Sequence, residues 1–458
     1  MYRHLASHLL PSARLLTAAC GGDDGNDVTP TLIPGGGVSD PGIDGEVNVY
    51  VIDEDTDAPI SGATVRVGAI EGTTDATGLF VAAGADLVGP QTILVKATGR
   101  GSGMWVGVGG ANITIGLGLN PEPMVDPPQA ELSGTIAGWD NQTVAEGHIR
   151  VALVTYSQGK NLDDAGNDIE QPAGTNNLPA GACVRLPDGT PGQRPCAWRV
   201  AARTGTIALG AVVVDVDTNG TPLDDSDDTQ AVIGAAVLNP ITVVAGTNQA
   251  GLSLDLLAPA QLTTAAVAFG TLPAGWTLAQ GVVGLDLGAG GVLRTQLVTP
   301  AASTVVVPSL SVATGSSYEL LVVARESDAA DAAESVVIRR GLASASGLDA
   351  GAFLTPPTGL ASDRATISLA RSAGADLDII EISTSSGSGT SNQVFGIAIL
   401  DGTTSVTLPT DFAPLPSGAL EVKATSADLA DGVELDDFAI DDFETLLLRA
   451  ASDSIRLN

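Results

Sequence analysis

The chain has 458 residues, with 53 Asp and Glu against 20 Lys and Arg, giving a formal net charge of −33. That charge argues against nucleic acid and anionic lipid surfaces as partners, because both would repel it. Positive mean hydropathy beside such charge places the apolar residues in packed cores, and with aromatics at only 3% those cores are Val, Leu, Ile and Ala.

The N-terminal segment divides sharply at Cys20. No acidic residue precedes it, and all 53 follow. The run Leu15-Leu16-Thr17-Ala18-Ala19-Cys20-Gly21-Gly22 puts small residues just before the cysteine, where a signal peptidase must approach the backbone. It resembles the lipobox of bacterial lipoproteins, with Thr17 standing where Leu is usual. The resemblance implies that residues 1–19 are a signal peptide, and that Cys20 is acylated, palmitate included, and becomes the mature N-terminus. Loss of Arg3 and Arg14 with the leader leaves the mature chain at −35. No later stretch is long and apolar enough to span a bilayer, so attachment rests on the lipid, and two or more acyl chains hold stably. Residues 20–43, rich in Gly, Asp and Pro, read as the lipidated cysteine followed by a solvated tether.

Residues 44–125 alternate as short strands: Val47–Val51, Ala63–Val67 and Ile93–Ala97. Pro59-Ile60-Ser61-Gly62-Ala63 opens the second strand, and Thr74-Asp75-Ala76-Thr77-Gly78-Leu79-Phe80 forms a turn into the next. Gly62 and Gly78 suit backbone with positive φ, and Asp75 suits an Asx-type turn. This pattern resembles the carboxypeptidase regulatory-like domain, a small transthyretin-like β-sandwich. The resemblance implies a structural or adhesive role and no catalytic groups.

Residues 128–258 read as a divergent second transthyretin-like sandwich, with strands near Leu132–Gly138, His148–Tyr156, Ala197–Val200, Ile207–Val214 and Leu252–Leu256. Its insertion carries Cys183 and Cys196. One lipidated cysteine plus one pair leaves no odd thiol, and histidine is too scarce to complete a metal site. A disulfide is expected, contributing about 3 kcal/mol in the chain-entropy model.

Residues 259–350 and 351–458 read as two related modules of immunoglobulin-like size. Each has a strand ending in Pro, at Thr304–Pro308 and Ser405–Pro409. Each then has a Gly-led strand, at Gly315–Ala324 and Gly418–Ala424. Pro356–Leu360 resembles the opening of a fibronectin type III domain, and Tyr318 resembles that family's tyrosine, replaced by Leu420 in the last module. Asp436 to Leu448 reads as a short helix or an acidic loop. The expected fold is therefore all-β: serial β-sandwiches, transthyretin-like and then immunoglobulin- or fibronectin-like.

Asp215, Asp217 and Asn219 before Gly220 have the spacing of a calcium loop, in which alternate oxygens converge on one hard cation. The twelfth position is Ser226 rather than Glu, with Asp224 and Asp225 as substitutes. The alternative is a solvated hairpin turn, since Asn-Gly is a strong turn signal. The acidic runs at Asp53–Asp57 and Asp163–Asp168 are weaker candidates of the same kind. A single histidine after processing, His148, builds neither a histidine zinc site nor a Ser-His-Asp triad with spare candidates. The four tryptophans, Trp105, Trp139, Trp198 and Trp276, read as core or edge residues rather than a carbohydrate platform. The functional expectation is a lipid-anchored protein of the bacterial cell envelope, an outer-membrane lipoprotein presenting binding loops to an unidentified protein or glycan, without catalysis. The alternatives are a calcium-dependent adhesin, a glycan binder, and a hydrolase using paired carboxylates.

Overall fold

The computed structural model describes residues 38–53, 58–119, 128–157, 171–172, 180–187, 195–220, 228–300, 303–327, 329, 332–385, 391–430 and 446–457. The described chain is all-β, with strands linked by turns and short 3₁₀ segments. Its strands form four successive β-sandwich units.

In the first unit, one sheet runs in the order Val38–Gly42, Gly110–Leu117, Asp44–Asp53, Leu79–Val88. The facing strands are Ser102–Val108, Gln91–Lys96, Thr64–Val67 and Ile70–Thr73. Alternation along these strands buries Val47, Val49 and Val51 against Val65, Val67, Ile93 and Val95. Gly62 and Gly78 take φ of +78° and +76°. A Cβ on Gly78 would lie 2.6 Å from the Val51 carbonyl oxygen, so the turn needs glycine for space as well as conformation. Asp75 Oδ1 accepts from the Thr77 and Leu79 backbone N–H groups and from the Thr77 hydroxyl.

The second unit pairs Ala182–Arg185, His148–Tyr156, Gly205–Asp217 and Thr229–Val243 in one sheet. Ala197–Arg203, Gln129–Ala137 and Gln249–Asp255 form the other. Trp139 and Trp198 are fully buried between them, with Leu132, Leu209 and Leu254. Trp105 and Trp276 pack against the cores of the first and third units.

The third and fourth units repeat one four-stranded sheet order. The third has a sheet ordered Val292–Val298, Thr277–Asp286, Ser317–Arg325, Glu334–Leu342; the fourth has Ser391–Ile399, Leu377–Ser385, Leu420–Leu429, Leu447–Leu457. Each of these sheets faces a three-stranded one.

Three of the units are welded edge to edge. Strand Glu334–Leu342 pairs antiparallel with Leu447–Leu457, from Glu334↔Ser452 to Val337↔Arg449. Strand Ser391–Ile399 pairs parallel with Ser102–Val108, from Phe395↔Ser102 to Ile399↔Val106. The result is one twelve-stranded sheet through the first, third and fourth units. The second unit joins by packing: Ala208 and Val237 enter the core of the third, and a Cβ on Gly290 would meet the Asn239 side chain at 2.0 Å.

Candidate functional site

Asp215 and Asp217 lie at the end of strand Gly205–Asp217, which runs antiparallel to His148–Tyr156. The register sets His148 opposite Asp217 and Arg150 opposite Asp215. His148 Nδ1 lies 2.7 Å from Asp215 Oδ2, and Arg150 Nε donates to Asp215 Oδ1 at 3.0 Å. Arg150 continues to Gln142 Oε1 at 2.8 Å. Asp217 Oδ1 accepts the Asn219 backbone N–H at 3.0 Å, and its other oxygen lies 3.9 Å from His148 Nε2. Asn219 and Gly220 take φ of +49° and +78° and turn the chain. The Asp-x-Asp-x-Asn-Gly spacing therefore closes an Asx turn, with the Asp215 carboxylate directed at His148 and Arg150. Asp224 and Asp225 lie outside the described residues, as do Cys20, the acidic run at 163–168 and residues 54–57 of the earlier run. Among the described residues, no group of three or more His, Cys, Asp and Glu is placed to hold a metal ion.

Cys183 and Cys196 form a disulfide with a Cα–Cα distance of 5.6 Å. Both are fully buried, and the bond ties strand Ala182–Arg185 to the start of strand Ala197–Arg203 in the facing sheet.

Sequence reasoning did not anticipate the charged cluster where the first unit meets the fourth. Arg66 donates to Glu71 at 2.7 Å and to Asp411 at 2.8 Å. The Arg66 hydrogen bond holds the Asp411 carboxyl below the usual carboxylate range. Lys96 Nζ donates to the Phe412 carbonyl oxygen at 2.5 Å. The Phe412 ring, buried in the fourth unit's core, meets Lys96 Nζ at 4.4 Å and the Arg66 guanidinium at 5.0 Å from its centroid. An open cleft of about 220 Å³ lies beside it, walled by Lys96, Ser102, Val394, Phe412, Pro414 and Leu415. Among the described residues, no carboxylate or histidine lines this cleft. The sequence signal for the cluster is faint: Arg66 stands between Val65 and Val67, and Lys96 follows Ile93, Leu94 and Val95.

Buried ion pairs were also missed. Arg294 Nε donates to Glu319 at 2.7 Å with both side chains under a tenth exposed. Arg371 Nε donates to Asp378 at 2.8 Å, where Asp378 is 1% exposed and also accepts from Ser426.

No family model matches the chain, and no curated protein matches it. Among solved structures it is similar to the shaft pilin SpaA from Lactobacillus rhamnosus GG, at 10% identity, covering 47% of this chain and 98% of the pilin, with a TM-score of 0.13. It is similar to the tetra-tandem repeat in the extending region of a large adhesion protein at 13% identity, covering 90% and 98%, with a TM-score of 0.14. It is also similar to BcpA, the major pilin subunit of Bacillus cereus, at 9% identity, covering 81% and 96%, with a TM-score of 0.13. Likenesses at TM-scores this low carry no argument for function.

Proposed function

We propose that this chain is a non-enzymatic structural protein of a bacterial cell envelope, held to the membrane by acylated Cys20 and carrying a stiff array of β-sandwiches away from it. The observation that carries this reading is the twelve-stranded sheet. Flexibly strung domains move relative to one another by default. Here two ladders of backbone hydrogen bonds run across unit boundaries, and such ladders resist bending between units. Arg340 adds a side-chain tie by donating from the third unit to the Leu447 carbonyl oxygen of the fourth, at 2.6 Å. A rigid spacer on an acidic, soluble body suits display or reinforcement outside the cytoplasm, and the buried Cys183–Cys196 bond suits an oxidising compartment. The first unit's turn chemistry, with Asp75, Gly62 and Gly78, supports assigning it to the carboxypeptidase regulatory-like sandwiches.

The test is the mass of the N-terminal peptide of protein extracted from membranes of its native host. A peptide beginning at Cys20 with added acyl mass is the expected result. A peptide that retains Met1, or that begins at Cys20 without acyl mass, overturns the anchor.

A further inference from the structure

Sheet edges expose unpaired backbone groups, and proteins blunt them with short strands, charges or proline. Nearly all edges among the described residues follow that rule. The edge strands Ile70–Thr73, Ala182–Arg185, Ser405–Thr407 and Thr358–Ser362 have five residues or fewer. The longer edges Ala197–Arg203, Gln249–Asp255, Val292–Val298 and Leu79–Val88 carry charged residues, such as Arg199, Asp255, Arg294 and Asp86.

Strand Thr229–Val243 follows it least: β-bulges also blunt edges, and in its first half the bulge at Ile233 is the one such device among the described residues. It is the outer strand of its four-stranded sheet and is 15 residues long. Its first half, Thr229-Gln-Ala-Val-Ile-Gly-Ala235, has no charge and no proline. One face pairs with Gly205–Asp217 from Asp217↔Thr229 onward. On the outer side, contact begins only at Ala235, whose carbonyl oxygen accepts from Leu257 N–H, and at the bridge Ala236↔Leu256. No described residue bonds the outer backbone before that point. Ile233, the extra residue of a bulge opposite Val213 and Val214, is 36% exposed.

We propose that this free edge accepts an extended segment of a partner protein as an added antiparallel strand, with basic residues at the segment's C-terminal end. Backbone pairing supplies the binding, and charge selects the occupant. The chain's net charge of −33 sets two copies of it against one another and favours a cationic partner. At the Thr229 end, Asp217 is 41% exposed and Asp228 precedes the strand. Antiparallel addition brings the partner's C-terminal residues to that end. The site is independent of the lipid anchor.

The test uses the full mature chain and a fluorescein-labelled peptide of alternating threonine and valine ended by two lysines. Binding is expected, with slowed hydrogen exchange at residues 230–234. The double variant Ala231→Lys with Ile233→Lys changes only exposed side chains. It is expected to weaken binding at least about tenfold while leaving the melting temperature unchanged. Equal binding of a backbone N-methylated peptide, or of one ended by two glutamates, overturns the proposal. So does a dimer in sedimentation that the double variant abolishes, since the edge would then serve a second copy.

Discussion

The third and fourth units share a strand order but hold their corners differently. In the third, the Tyr318 hydroxyl donates to the Pro308 carbonyl oxygen at 2.9 Å, tying the Gly-led strand to the end of the Pro-ended strand within one unit. In the fourth, Leu420 takes the tyrosine's place in sequence, and the loop after Pro409 buries Phe412 instead. That loop is gripped from outside by Arg66 and Lys96 of the first unit. The third unit's corner is self-contained, whereas the fourth borrows part of its restraint from a neighbour. Units that share a four-stranded sheet order can thus differ in how far their stability depends on their surroundings.

The largest effects are expected where both units agree. Asp378→Ala in the fourth and Glu319→Ala in the third each remove a buried carboxylate from its arginine, Arg371 and Arg294, and each should lower stability by about 3–5 kcal/mol in denaturant unfolding. Equal losses would show that this device is common to the two repeats. A smaller loss is expected at the weld. Gly107 has φ of +81°, and a Cβ there would meet the Asp401 Cβ at 2.4 Å. Gly107→Ala should cost roughly 2 kcal/mol and speed exchange in both Ser102–Val108 and Ser391–Ile399. The corners then separate the units. Tyr318→Phe should cost about 1 kcal/mol, confined to the third unit. Lys96→Met should cost less than about 1 kcal/mol and loosen the loop around Phe412 in the fourth unit, although the substitution is in the first.

The smallest effects concern pH. Burial raises the Glu334 carboxyl at the weld above its usual range, with Arg325 opposing the shift. The folded state therefore binds more protons there, and this group's contribution to stability falls as pH rises from the unfolded value through the raised one. Asp75 is shifted the other way, by the Thr77 hydroxyl and then the Thr77 and Leu79 N–H groups. Its contribution is present above the usual aspartate range and is lost as pH falls through the depressed value. Asp75→Asn should flatten the acid limb, and Glu334→Gln the limb above it, in melting temperatures recorded against pH.

Much of the fold is legible in the sequence because sandwich strands alternate. His148–Tyr156 appears where the alternation places it, Thr304–Pro308 where the sequence reads as a Pro-ended strand, and Gly62 and Gly78 carry the turns their type suggests. The strands that join units are harder to see. Ser102–Val108 is interrupted by Gly103 and Gly107, and Ser391–Ile399 opens on Ser-Asn-Gln. Edge pairing is made by backbone groups, which leave no side-chain period to read. The strand Thr229–Val243 was hidden for a related reason: its Gln, Gly, Asn and Pro blur the alternation. The partners of Asp215 are also out of reach of a local reading. Spacing can place oxygens near one another, but the groups facing Asp215, His148 and Arg150, stand 67 and 65 residues away.

The central claim is that the sheet is continuous from the first unit to the fourth. Native-state hydrogen exchange on the full chain tests it most directly, read at the amides of Ser102–Val108 and Ser391–Ile399. Protection that is lost only with global unfolding is the expected result. Exchange at the rate of solvent-exposed edge strands, with the rest of both units still protected, would contradict it.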